Sequence, residues 1–235
     1  MLLLALTAAP SLIARQTDTP AAPTATPTAD TPDYVPAAKG NDRILGVLPN
    51  FLTTDNTLPF SPLSAKAKIS LSVQESYDWP IFFFNGAVAL IYFEGKEDPS
   101  YGRGLAGYGK EYLAVTADDT LSNLFNDGLM PALLHQDPRY FRKATGSIPS
   151  RLGFALMQSV IARNDSGKWR FASAAWLGNV IAVGISDTYH RDSRTLGNQS
   201  EQVLFQVGEG TFSNIMEEFW PDVKKKLFIR HKSTS

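Results

Sequence analysis

The chain of 235 residues contains no cysteine and only three histidines. Disulfide frameworks, zinc–thiolate sites, iron–sulfur clusters and cysteine nucleophiles are therefore excluded, because each of them needs a thiol. The charges nearly cancel, with 22 basic against 23 acidic residues, so the chain lacks the positive surplus of a general nucleic-acid binder. The length allows one domain of ordinary size or two small ones.

The sequence motifs of common enzyme and cofactor sites are also missing. No G-x-S-x-G elbow, Walker loop or HExxH zinc motif occurs. Gly102, Gly104 and Gly107 match the spacing of a dinucleotide-binding loop, but a charged loop precedes them where that chemistry needs a strand. The sequence therefore predicts no cofactor, no bound metal and no nucleic-acid partner.

Two unusual stretches open the chain. Residues 1–15 are apolar up to Arg15, about as long as the hydrophobic region of a secretory signal and too short to span a bilayer. Residues 16–40 consist mainly of Thr, Ala and Pro, which cannot bury enough surface to offset their ordering entropy. We expect a signal-like segment, with a buried N-terminal helix as the alternative, followed by a disordered linker. The protein is expected to be exported to the periplasm or the envelope membrane.

The remaining residues, 41–235, predict an all-α domain preceded by that tether. Residues 41–62 carry prolines and polar turn residues, which are typical of an extended arm or loop. After them, apolar residues recur at helical spacing, and no alternating strand pattern of usable length appears. We predict a compact bundle of about five to seven helices. The long amphipathic helices are predicted over Gly109–Leu134, Pro149–Asn164 and Ser200–Phe219, the last of them ended by Pro221.

Two stretches, 79–93 and 171–186, carry no charged residue. As helices they would be about 22 and 24 Å long, against a hydrocarbon core of about 30 Å. A helix that is apolar on all sides must be surrounded by other helices or by lipid. The two stretches therefore form either the centre of a soluble bundle or a half-inserted hairpin in a bilayer, with the basic C-terminal end meeting anionic lipid.

Small residues mark one edge of the second uncharged stretch. They recur at every fourth position, at Ala174, Gly178, Ala182 and Ser186. This spacing lets another backbone approach closely along that edge. Asn179 interrupts the stretch and needs a hydrogen-bonding partner if it is buried, so we expect it to bond between helices.

The densest group of polar residues runs from His135 to Arg142, after an apolar helix. In one interpretation it terminates the helix, with His135 as a cap and Asp137 paired with Arg139. In the other, His135 acts as a general acid or base and Asp137 orients it. The sequence does not decide between the two.

Two further groups of polar residues are interpreted as structural. Asp187 and His190 share a helix face and predict a hydrogen-bonding cluster at a helix end, since two local ligands do not make a metal site. Arg163 precedes an Asn-Asp-Ser-Gly run that is typical of a helix C-cap and turn, with Gly167 at positive φ. A ligand-binding role for Arg163 is the alternative.

Several short motifs together resemble an uncharacterised bacterial envelope protein family. They are Tyr108-Gly-Lys-Glu-Tyr112, Leu133-Leu-His-Gln-Asp-Pro-Arg-Tyr-Phe-Arg142, Arg163-Asn-Asp-Ser-Gly167, Gly178-Asn179 and Glu218-Phe-Trp-Pro-Asp222. The resemblance spans about residues 43–228 and implies export and a helical, membrane-associated domain without an established reaction. The candidate functional residues lie at matching motif positions: His135 and Asp137 as a catalytic pair, and Tyr108, Lys110, Arg139, Arg163 and Asn179 as binding residues.

Three functions are compatible with these patterns, and the sequence leaves open whether the protein is an enzyme. The first is a structural or interaction protein of the cell envelope that associates with the membrane or with partner helices, including a helix–helix homo-oligomer. The second is a metal-independent hydrolase of lipid or envelope material, with His135 and Asp137 as the acid–base pair and Arg139 holding an anionic group. The third is a module that binds a small apolar ligand between helices.

Overall fold

The computed structural model describes residues 43–44, 50, 52–192 and 194–232. The signal-like segment (1–15) and the linker (16–40) lie outside these residues. The predicted all-α class is confirmed, because helices make up most of the described chain. The helical elements are α1 (Ala65–Ser76), α2 (Trp79–Gly95), a 3₁₀ turn (Pro99–Tyr101), α3 (Gly104–Asn123), a π-helical turn (Leu124–Leu129), α4 (Met130–Leu133), α5 (Ile148–Met157), α6 (Ser173–Ser186) and α7 (Leu196–Lys232).

Four strands of three residues each accompany the helices. They are β1 (Thr53–Asp55), β2 (Tyr140–Arg142), β3 (Ile161–Arg163) and β4 (Trp169–Phe171). Strand β1 pairs in parallel with β2, with Thr53 opposite Tyr140, and β3 pairs antiparallel with β4. The sequence did not predict them, because three residues are too few to show an alternating pattern.

The fifth helix is shorter than predicted. It ends at Met157 rather than near Asn164, and the chain then forms the β3–β4 hairpin. The Asn-Asp-Ser-Gly run is therefore the turn of a hairpin and not the cap of a helix. Gly167 does take the expected positive φ, at 78°.

Helix α7, in contrast, is longer than predicted and continues through Pro221. Proline removes one helical hydrogen bond and so destabilises a helix interior. Here Glu218 and Trp220, just before the proline, are buried against the rest of the domain. Tertiary packing therefore holds the helix together where local propensity predicts its end.

The π-helical turn lies between α1 and α6. At Gly128 a Cβ atom would lie 2.5 Å from the hydroxyl oxygen of Ser72 on α1, and at Gly178 it would lie 2.9 Å from the backbone nitrogen of Asn126. Glycine is thus required at both positions for close approach. The four small residues on the edge of α6, Ala174, Gly178, Ala182 and Ser186, are all buried. The small-residue packing predicted for this helix is confirmed.

The polarity of the domain is unusual. One apolar core cluster is formed by Leu52, Leu63, Ala67 and Leu71, and thirteen further apolar residues are buried. Many other buried side chains are polar or charged: Lys68, Asn85, Glu111, Asp137, Arg151, Asn179, His190 and Glu218. Most of the large apolar side chains of α2 are exposed, with Phe83 at 73% and Ile91 at 68%. The stretch 79–93 is therefore not the centre of the bundle. No helix among the described residues has both the length and the apolar character needed to cross a bilayer.

Candidate functional site

The His135–Arg142 motif follows α4 and includes β2, and its central ion pair is buried. Both carboxylate oxygens of Asp137 accept hydrogen bonds from the Arg139 side chain, Oδ1 from Nε at 2.9 Å and Oδ2 from Nη2 at 2.7 Å. Arg139 also donates to the backbone oxygen of Ser61 at 2.6 Å. The Asp137–Arg139 pairing that the sequence suggested is present, and it ties the motif to the segment before α1.

His135 does not form the catalytic pair with Asp137. Its side chain is 83% exposed, and its Nδ1 atom lies 3.6 Å from Oδ2 of Asp165. Both oxygens of Asp137 face Arg139 instead. His135 has φ of 52°, a left-handed conformation that directs the chain out of α4. The described geometry therefore supplies no oriented acid–base pair at the motif.

Arg163, the last residue of β3, is held by aromatic rings and one amide. Its guanidinium lies 4.5 Å from the ring centre of Phe141 and 4.9 Å from that of Trp169, and it donates to Oδ1 of Asn56. Burial lowers the pKa of Arg163 from its usual value. The stacked arrangement rigidifies the motif, and Arg163 reaches the ion pair through its backbone oxygen, which accepts from the N–H of Asp137 at 2.7 Å.

Tyr108 and Lys110 lie elsewhere, in the first half of α3. The hydroxyl of Tyr108 donates to the backbone oxygen of Gly86 on α2, and the ammonium of Lys110 donates to the backbone oxygen of Tyr101. These contacts stabilise helix packing and a turn. The structure does not bring these two residues to the His135–Arg142 motif.

Asn179 on α6 has the partner that its burial requires. Its Oδ1 atom accepts a hydrogen bond of 2.5 Å from Nδ2 of Asn126 in the π-helical turn. The prediction of hydrogen bonding between helices is confirmed. A π-helical turn shifts the register of the helix that follows it, and such turns are frequent at functional sites.

A small cleft of about 80 Å³ opens beside this turn. Its lining includes Asn126 and Asp127 of the turn, Asn214 of α7 and the Asp137–Arg139 pair. Sites for drug-sized ligands usually measure about 300–1,000 Å³. The cleft is therefore large enough for a few water molecules and too small for the apolar ligand considered from the sequence.

Burial raises the pKa of three acidic side chains that we call the carboxyl cluster: Glu75 of α1, Asp127 of the π-helical turn and Glu217 of α7. Burial raises the pKa of Asp127 to about 7, and the neighbouring Glu217 contributes to this shift. Burial also raises the pKa of Glu217 to about 7, and burial and both neighbours raise the pKa of Glu75. Oε2 of Glu75 and Oε2 of Glu217 are sealed from solvent without a hydrogen-bond partner in the described part of the chain.

Glu218, which follows Glu217 in α7, is the centre of a second group that we call the Glu218 cluster. Its members are Glu218, Arg151, Tyr140 and the backbone N–H groups of Lys143 and Ala144. The Glu218 carboxylate is fully buried and accepts from Nε of Arg151 at 2.7 Å and from the hydroxyl of Tyr140 at 2.7 Å. The backbone nitrogens of Lys143 and Ala144 donate to it at 2.8 and 3.0 Å. Arg151 also pairs with Asp222. This cluster is fully satisfied and joins α5, β2 and α7.

A third group, the His190 cluster, consists of Asp98, Glu111, Asp118 and His190. Nδ1 of His190 lies 2.5 Å from Oδ2 of Asp98, and Nε2 lies 2.8 Å from Oδ2 of Asp118. Burial by itself would lower the pKa of His190, but the hydrogen bonds and attraction from both aspartates raise it to about 10. His190 is therefore a buried cation at neutral pH. The predicted partner, Asp187, instead accepts from Gln199.

Burial raises the pKa of Glu111 in the His190 cluster to about 7, and the Asp98 charge adds to that shift. The contacts of His190 bridge 92 and 72 positions in the sequence, so helical spacing gave no signal for them. Arg151 was missed for the same reason. No group of three or more acidic or histidine side chains among the described residues is arranged to hold a metal ion.

Of the residues predicted from the sequence, Asp137, Arg139 and Arg163 lie together near one cleft. His135, Tyr108 and Lys110 lie apart from it. Compared with protein-family models, with curated proteins and with proteins of solved structure, the chain has no match.

Proposed function

We propose that this protein is an exported, non-enzymatic component of the cell envelope that binds the membrane surface through the exposed apolar face of α2. The observation that carries the proposal is the polarity of the domain, with charged clusters inside and large apolar side chains outside. Water-soluble domains normally place these classes of residue the other way round. Large exposed apolar patches mark sites of protein or membrane interaction.

The exposed face of α2 is broad. It comprises six large side chains: Trp79, Phe82, Phe83, Phe84, Leu90 and Ile91. At about 100° per residue these positions cover about 200° of the helix circumference. Helix α3 is the main packing partner of α2 on the remaining side. A groove on a partner protein typically receives a narrower stripe of about 100°, whereas lipid can contact a face of any width.

Both ends of α2 carry residues that suit a helix lying at the membrane–water interface. Asp78 caps its first turn and Glu94 lies near its end, so charge borders the apolar stretch on both sides. Tyr77 and Trp79, both exposed, lie at one of these borders. Aromatic residues with a polar atom are favoured at the boundary between headgroups and acyl chains. These features support lipid as the occupant rather than a second copy of the chain.

Exposed apolar side chains also occur on α5 and α6, including Leu156, Leu177 and Val180. Large apolar side chains are therefore exposed on more than one helix of the described residues. The expected linker at 16–40 would act as a tether that leaves the domain free to reach the membrane. Export through the signal-like segment forms part of the same proposal.

The test is co-sedimentation of the full chain with vesicles of phosphatidylethanolamine and phosphatidylglycerol. We expect the unmodified protein to sediment with the vesicles. Replacing Phe83 and Ile91 together by Ser removes about 2–4 kcal/mol of apolar transfer free energy, and we expect at least about tenfold weaker partitioning. A matched control carries Leu196→Ser and Phe205→Ser on α7 and should retain binding.

The proposal is wrong if the unmodified protein remains in the supernatant, or if the α2 variant binds vesicles as well as the α7 control. Size-exclusion chromatography without lipid tests the competing occupant. A defined dimer that the Phe83→Ser/Ile91→Ser variant dissociates would assign this face to a second copy of the chain and would also contradict the proposal.

A further inference from the structure

The polar side chains that line the cleft beside the π-helical turn differ in how well they are bonded. Asp127 of the turn and Asn214 of α7 both line the cleft, and neither side chain has a hydrogen-bond or ion-pair partner among the described residues. Most of the other polar side chains of the lining are bonded within the protein: Gln136, Asp137, Arg139, Tyr140 and Gln158. Two polar groups from distant parts of the chain are therefore left for a ligand in the cleft.

The charges around the cleft leave the Asp127 carboxylate uncompensated. Asp137 and Arg139 form a two-bond ion pair, so together they add no net charge to the lining. The ammonium of Lys68 donates to the backbone oxygen of Pro131, which also lines the cleft, but its ion-pair partner is Asp165. When Asp127 is ionised, the cleft therefore carries a single negative charge that no cation in the described part of the chain neutralises.

A third oxygen without a partner belongs to Asn126, which precedes Asp127 and lines the same cleft. Its Oδ1 atom is sealed from solvent and accepts no hydrogen bond in the described structure, whereas its Nδ2 atom donates to Asn179. A sealed carbonyl oxygen adds negative potential beside the Asp127 carboxylate. Carboxylate and amide oxygens are the ligands that hard metal cations prefer.

The size and the charge of the cleft restrict the ligand. A volume of about 80 Å³ has room for a few water molecules, or for one small ion with part of its water shell. The negative charge of Asp127 disfavours an anion. A divalent cation would leave an excess positive charge next to the Arg139 guanidinium, and Ca²⁺ normally takes six to eight oxygen ligands. A monovalent cation balances the charge of one carboxylate.

We propose that the cleft binds a partly hydrated alkali-metal cation, Na⁺ or K⁺, through the carboxylate of Asp127 and the amide oxygen of Asn214. Water completes the coordination shell of the ion. The two ligands come from the π-helical turn and from α7, so the ion links these elements across the cleft. Because the unfolded chain does not hold the two ligands together, binding of the ion stabilises the folded state.

The experiment is urea denaturation of the full chain at about pH 8 in equal concentrations of NaCl, KCl or N-methyl-D-glucamine chloride. The organic cation keeps the ionic strength constant and is too large for the cleft. For a dissociation constant of about 10 mM, about 100 mM of the bound ion raises the folding equilibrium constant about tenfold. Asp127→Asn should lose this gain. The matched control, Glu201→Gln, removes an exposed charge on α7 and should keep it.

A second variant keeps the test decisive if Asp127→Asn fails to fold. Asn214→Ala removes the α7 ligand alone and should reduce the gain to less than about threefold. A larger gain with one of the two alkali ions supports the site and identifies the ion that it prefers. Equal stability in all three salts would show that the cleft holds water only and would overturn the proposal. A gain that both variants retain would place the ion elsewhere and would overturn it as well.

Discussion

Glu217 and Glu218 are neighbours on α7, and their environments are opposite. Glu218 is completely buried and accepts four hydrogen bonds, two of them from the side chains of Arg151 and Tyr140. Glu217 accepts a hydrogen bond from the hydroxyl of Ser213, and burial raises its pKa to about 7. A one-residue step along a helix turns a side chain by about 100°, which here separates a carboxylate paired with an arginine from one that has no counter-ion among the described residues. Burial by itself therefore does not determine the charge of a carboxyl group.

The largest expected effect comes from breaking the neutralised site. Arg151→Ala would leave the Glu218 charge buried without its cation, and removing one partner of a buried pair typically costs about 3–5 kcal/mol. We expect a loss of this size in the free energy of unfolding, measured by urea denaturation at neutral pH.

Lys143→Ala is the matched control for Arg151→Ala. It removes the same charge but leaves the backbone N–H that bonds Glu218, so its cost should stay below about 1 kcal/mol. Equal losses in the two variants would show that the Arg151–Glu218 pair has no special role in stability.

A gain in stability is expected from a substitution at Glu217, which has no counter-ion within the part of the chain that the structure describes. Glu217→Gln removes a charge that the folded state disfavours, so the variant should be more stable than the unmodified protein at about pH 8, by about 1–2 kcal/mol. At about pH 4.5 both carry a neutral side chain, and the difference should vanish. Urea denaturation at the two pH values measures this, and a destabilised variant at pH 8 would contradict the assignment.

The smallest effect is expected at the exposed contact between His135 and Asp165. Their atoms are 3.6 Å apart, and the imidazole is mostly in solvent. Exposed pairs of this kind contribute about 0–1 kcal/mol. His135→Gln should therefore change the free energy of unfolding by less than about 0.5 kcal/mol at any pH from 5 to 8. A loss above about 2 kcal/mol would show that His135 has a structural role that its contacts do not reveal.

The helical class, the small-residue edge of α6 and the need of Asn179 for a partner could be predicted from the sequence, because each depends on spacing within one segment. The end of α7 could not be predicted. Pro221 signals a helix terminus locally, but the buried contacts of Glu218 and Trp220 keep the helix intact beyond it. The position of α2 was also beyond prediction, because an apolar stretch has the same pattern in a bundle centre and on an apolar surface.

Local sequence determined that the domain is helical and which helix edges permit close packing, since these properties depend on side-chain volume and on the 3.6-residue period. The tertiary structure decided which charges meet. Asp98 and His190 are 92 positions apart, and Arg151 and Glu218 are 67 apart. Electrostatic interactions depend on distance and solvent exclusion, which only the folded chain defines.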